Sequence, residues 1–221
     1  NPTFRGLSFF VIFPLLVQLQ MLFGGRSTGA GDDRPRAAAA AGEAHAWATG
    51  DVGQIPAGLV PSPWLRAHQQ LGHGQPDVAR QVLLADFSET HAPDWWPPET
   101  APPEQLRSLV ALLPRPLPTG RVYSEHALAT ILLRIGEFDD AARYAAASFD
   151  KVRAPAMAIT VARAAGGAGD PATAVGWLHA ALQAGADADV VAAAMDGASE
   201  LAPLRSDPRF TQLRAVVDAA A

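Results

Sequence analysis

A six-residue pattern, Gly-x-(Phe or Pro)-x-x-Ala, occurs three times in this 221-residue chain, at residues 74–79, 136–141 and 169–174. Each copy lies between two stretches with helical character. Glycine tolerates a positive φ and can end the first helix, whereas the Phe or Pro two positions later begins the second. The small Ala allows two antiparallel helices to approach closely. The pattern therefore predicts a series of helical hairpins.

The spacing of the last two copies points to a known kind of repeat. Gly136 and Gly169 are 33 residues apart, close to the 34-residue period of the tetratricopeptide repeat. The segment Ile-Gly-Glu-Phe-Asp-Asp-Ala at residues 135–141 is the strongest match to that repeat. The chain thus resembles the tetratricopeptide-repeat family. The resemblance implies an all-α fold, a right-handed solenoid of α-α hairpins, whose function is to hold a partner.

Helix boundaries extend the predicted repeat domain over residues 42–221. A fourth hairpin is predicted from residues 189–195 and 208–220. In it, Phe210 and Leu213 are expected to cover the open end of the stack, because solenoids need such caps for solubility. Three helix starts are marked by a capping residue followed by proline: Ser62-Pro63, Asp170-Pro171 and Asp207-Pro208.

The first two copies of the pattern are 62 residues apart, so the repeats are not contiguous. The interval contains a Trp- and Pro-rich insertion at residues 91–103, followed by a predicted short helix at residues 104–113. Trp95 and Trp96 in this insertion are candidate partner-binding residues, because paired aromatics beside prolines suit a membrane interface or a protein surface. The alternative, in which they fold back over the helical groove, remains open.

Residues 7–23 are an uncharged apolar run of seventeen residues, about 26 Å long as a helix. That length is marginal for a hydrocarbon layer of about 30 Å. Residues 1–24 are therefore assigned as a membrane anchor or apolar helix, and residues 25–41 as a flexible linker. An export signal and a buried core helix are the two alternatives for the apolar run.

Arginines flank this run unevenly, which predicts the orientation of the anchor. Arg5 precedes the run, whereas Arg26, Arg34 and Arg36 follow it. The positive-inside rule then places the repeat domain in the cytoplasm. Because the chain begins at Asn1 instead of Met, a second interpretation is that it continues a longer membrane protein.

Composition and motifs exclude several kinds of site. The net charge of −5, with 18% charged residues, leaves no basic footprint for nucleic acid. The absence of cysteine excludes disulfides, a thiol nucleophile and cysteine-ligated metals. The chain has no His-Glu-x-x-His, Gly-x-Ser-x-Gly or phosphate-loop motif, so we predict no catalytic residue, metal site or cofactor. The glycines at 166, 167 and 169 are interpreted as a turn, since they follow a helix instead of a strand.

The first helix of each hairpin is expected to line a concave face that binds a protein or peptide. The predicted function is a membrane-tethered interaction module. The alternative is the C-terminal regulatory or recruiting half of a polytopic membrane enzyme, such as a rhomboid or site-2 type intramembrane protease. An exported assembly factor built from the same hairpins is a third hypothesis. The candidate groove residues, chosen from helical periodicity, are Glu125, Thr130, Arg134, Thr160 and Arg163.

Overall fold

The structure is a computed structural model, and it describes residues 33–49, 61–88 and 101–220. These ranges contain ten α-helices and one short 3₁₀ helix, with no strand among them, as the predicted all-α class requires. The predicted apolar N-terminal helix lies outside the described residues. The helices are α1 (Asp33–Thr49), α2 (Pro63–Gly72), α3 (Pro76–Ser88), α4 (Pro103–Val110), α5 (Val122–Ile135), α6 (Phe138–Val152), α7 (Pro155–Gly167), α8 (Pro171–Gln183), α9 (Ala188–Gly197), the 3₁₀ helix (Ala202–Ser206) and α10 (Pro208–Ala220).

Left-handed glycines end the helices at all three copies of the pattern. Gly74, Gly136 and Gly169 have φ values of +72°, +83° and +78°. The N–H groups of Gly136 and the next residue donate to carbonyls three and five residues back, at 3.2 and 2.9 Å. The other two copies make the same pair of bonds. These bonds satisfy carbonyls that the helix end would leave unpaired, and the predicted helix stops are confirmed.

The same backbone conformation recurs between hairpins as well as inside them. Arg153, with φ 54°, directly follows α6, and Gly185, with φ 92°, follows α8. The left-handed residues 136, 153, 169 and 185 are therefore 17, 16 and 16 residues apart. This part of the chain consists of helix-turn units of nearly constant length. The length of each unit is about half of the 33-residue period that the sequence predicts.

Small residues lie where neighbouring helices approach each other. Ala79, Ala141 and Ala174, which close the three copies of the pattern, are fully buried. Helix α2 packs against α3, α6 against α7, and α7 against α8. A Cβ atom added to Gly167 at the end of α7 would clash with the Phe138 ring at the start of α6. The helices thus pack against their neighbours in the chain, as in a helical repeat.

Side-chain caps begin three helices at the predicted positions. Helices α2, α8 and α10 each begin at a proline. Ser62 Oγ and Asp170 Oδ1 each accept a hydrogen bond from the backbone N–H three residues later, at 3.2 and 3.0 Å. Asp207 Oδ1 accepts one from the N–H two residues later, at 2.8 Å. Each bond satisfies an N–H group that has no partner inside its own helix.

The described residues belong to two compact units, one within residues 26–127 and the other within residues 128–221. The division falls inside α5, between Ala127 and Leu128. In the second unit, α10 packs against α8, α9 and the 3₁₀ helix. Phe210 and Leu213 of α10 are buried there, as predicted for residues that cover the last hairpin.

The start of the first unit differs from the sequence prediction. Residues 25–41 are predicted to form a flexible linker, but residues 33–41 belong to α1. Residues 37–41 are all alanine, the residue with the highest helix propensity, so a helix forms here without apolar periodicity. Later in α1, Glu43 Oε1 accepts a hydrogen bond from the Ser62 N–H at 2.8 Å, which joins α1 to the start of α2.

Candidate functional site

Glu125 on α5 is a buried hydrogen-bond acceptor. It is 1% exposed, and its Oε1 accepts a hydrogen bond from the Gly120 N–H at 2.9 Å. Gly120 also lies against other backbone, since an added Cβ would be 2.5 Å from the Phe87 carbonyl oxygen. The Glu125 carboxylate therefore holds the loop that precedes α5, and its role in partner binding stays a prediction.

Arg163 on α7 makes a two-point ion pair with Glu200, which follows α9. Nη2 donates to Oε1 at 3.0 Å, and Nε and Nη2 both donate to Oε2 at 3.3 Å. The two side chains are 27% and 13% exposed, so water screens this pair less than a fully exposed one. One turn earlier, the Thr160 hydroxyl donates to the Ala156 carbonyl at 3.0 Å. Both predicted groove residues of α7 thus make contacts inside the chain.

Gly166 allows Glu200 to approach α7. A Cβ added to Gly166 would lie 2.7 Å from the Glu200 carbonyl oxygen and 2.8 Å from Leu201 Cδ2. Residue 166 is about one turn after Arg163, so the same side of α7 carries the arginine and meets residues 200–201. The interpretation of the glycine run as a turn is therefore correct for Gly169 but wrong for Gly166 and Gly167, which belong to α7.

Thr130 and Arg134 lie one helical turn apart on α5, and both are partly exposed. Both also take part in interactions within the chain. Like the two predicted α7 residues, they belong to the unit of residues 128–221, on the first helix of a hairpin. Glu125 belongs to the other unit, and Trp95 and Trp96 lie outside the described residues. Partner binding by these residues stays a prediction.

A groove that the sequence does not predict lies between α8 and α10, with a volume of about 250 Å³. Helix α8 contains no Asp, Glu, Lys or Arg, and Val216 of α10 is 53% exposed. No motif marks the groove, because its shape depends on how the two helices cross. Its walls are Val175, His179, Arg209, Gln212, Leu213 and Val216.

Arg209 in this groove is held by Asp207. The Arg209 Nη2 and Nε atoms donate to the two carboxylate oxygens at 2.8 and 3.0 Å. Hydrogen bonds from the Arg209 side chain, and then from its backbone N–H, lower the pKa of Asp207 to about 2. Both groups of the pair stay ionised, so the positive charge of Arg209 is balanced by Asp207 beside the groove.

Among the described residues of the unit within residues 26–127, three side chains have displaced pKa values. Burial lowers the pKa of His126 to about 4. Burial also lowers the pKa of His68, whose ring stacks on Trp47 with centroids 5.1 Å apart. Burial raises the pKa of Glu43. In the described ranges, no group of three or more His, Cys, Asp or Glu side chains is arranged to hold a metal ion.

Comparison with known proteins gave no match of this chain to a family model, to a curated protein or to a solved structure. The resemblance to tetratricopeptide repeats therefore rests on the sequence pattern. Among the residues that the structure describes, no helix combines the length and the apolar character needed to cross a bilayer. The predicted anchor at residues 7–23 lies outside those residues.

Proposed function

We propose that this chain is a tetratricopeptide-like helical-repeat module that binds a protein or peptide partner. The observation that carries the proposal is the regular recurrence of left-handed helix stops at residues 136, 153, 169 and 185. Helix-turn units of nearly equal length stack on their neighbours and repeat equivalent positions along one face. Stacks of this kind form extended surfaces, which suit an elongated segment of a partner.

The proposed binding face lies on α5 and α7, the first helices of two successive hairpins. Thr130 and Arg134 support this placement because they are partly exposed and one turn apart. On α7, Glu200 fixes the Arg163 guanidinium through Nε and Nη2 and balances its charge. A guanidinium carries five N–H donors, so the arginines of this face suit the carbonyl groups of an extended peptide.

Attachment to a membrane through residues 7–23 is the second part of the proposal. These seventeen residues carry no charge, a composition that a bilayer core accepts. The arginines that follow the run favour a cytoplasmic position for the repeat domain.

The test compares the immobilised full chain with its Arg134→Glu and Arg143→Glu variants. Arg143 lies on α6, the second helix of its hairpin, and its side chain is 58% exposed, so it provides a matched charge reversal away from the proposed face. We expect one captured protein to bind the wild-type chain and Arg143→Glu with the same Kd. Its binding to Arg134→Glu should be about tenfold weaker or more, because a hydrogen bond to a charged group contributes about 1.5–3 kcal/mol.

Circular dichroism of each variant confirms that a loss of binding does not come from unfolding. Equal binding to all three proteins would contradict the proposed face, and failure to find any saturable partner would overturn the binding function.

Membrane fractionation of the same full chain tests the anchor. The full chain should pellet with membranes after a high-salt wash, and a chain without residues 1–24 should stay in the supernatant. A full chain that stays in the supernatant contradicts the anchor alone.

A further inference from the structure

We draw no further inference here: the strongest candidate, the mainly apolar groove between α8 and α10 bordered by Val175, Leu213 and Val216, carries nothing because nothing in the structure shows what covers it.

Discussion

Gly136 and Gly176 are both exposed, and a Cβ atom added to either would meet no other atom within 4 Å. Gly136 has φ +83°, whereas Gly176 lies in the middle of α8. A Cβ is strained at positive φ, but in a helix it mainly restricts the unfolded chain. We expect Gly136→Ala to lower the free energy of unfolding by about 1–2 kcal/mol. Gly176→Ala should raise it by about 0.5–1 kcal/mol.

Urea denaturation followed by circular dichroism measures both changes. Each variant is a control for the other, because the same methyl group is added at an equally open position. If both variants changed the free energy of unfolding in the same direction, the left-handed conformation would not explain the glycine at position 136.

Burial of His126 makes the stability of the protein depend on pH. Its pKa is about 4 in the folded chain and 6.5 in the ordinary, exposed state. Between these values the unfolded chain binds more protons than the folded chain, so stability rises with pH. The contribution of the neutral His126 side chain to the free energy of unfolding is fully present above about pH 6.5, and it is lost as the pH falls to about 4. The loss is on the order of 3 kcal/mol, at about 1.4 kcal/mol for each pKa unit.

Urea unfolding at a series of pH values from 4 to 8 checks this expectation, and two variants separate the sources of the slope. His126→Gln should flatten most of the decline, and the remaining slope combines His68, whose pKa burial also lowers, with the opposite contribution of Glu43, whose pKa burial raises. His179→Gln changes an exposed histidine on α8 and is the control for replacing a histidine by glutamine. The same decline in all three proteins would show that His126 is not its cause.

Between elements, the pair of Arg163 and Glu200 links α7 to the chain after α9. A double-mutant cycle with Arg163→Gln and Glu200→Gln should give a coupling free energy of about 1–2 kcal/mol, because the pair is bidentate and partly buried. The control cycle uses Arg153 and Asp150, which are 3.6 Å apart and each 69% exposed. We expect less than about 0.5 kcal/mol there. Equal coupling in both cycles would mean that packing at Gly166, and not the ion pair, holds this contact.

Helix ends were predictable because their causes act over a few neighbouring residues. The preference of glycine for positive φ marked Gly74, Gly136 and Gly169, and capping residues before proline marked three helix starts. Arg153 gave no such signal, because arginine has no preference for the left-handed region. Its guanidinium lies over the Phe149 ring, 5.0 Å from the centroid, a contact that helps to hold the turn.

Contacts between distant segments were not predictable from the same patterns. Arg163 and Glu200 are 37 residues apart in the chain, and they meet where Gly166 lets two segments approach. Helical periodicity placed Glu125 among the candidate groove residues, but it gave no sign of the hydrogen bond from the Gly120 N–H in the loop before α5, because loops do not follow that period. The groove between α8 and α10 was missed for the same reason, because it depends on the crossing of helices from two hairpins.

For the whole molecule, the division into two compact units predicts which helices a core mutation destabilises. Leu65 of α2 and Leu178 of α8 are both fully buried, one in each unit. Truncation of a buried leucine to alanine costs about 2–5 kcal/mol. In a repeat array each element depends on its immediate neighbours, so we expect the loss to remain inside the unit that carries the mutation.

Hydrogen exchange followed by mass spectrometry measures the local stability of each helix directly in the full chain. Leu65→Ala should speed amide exchange in α2 and α3 by about 30-fold or more, since each 1.4 kcal/mol is about tenfold. Helices α7, α8 and α10 should keep their wild-type rates in that variant, and Leu178→Ala should give the reverse result. Because α5 contains the division between the units, its two halves should respond to different mutations. If either variant speeds exchange throughout the chain by one common factor, the chain opens as a single cooperative unit and the division inside α5 has no energetic consequence.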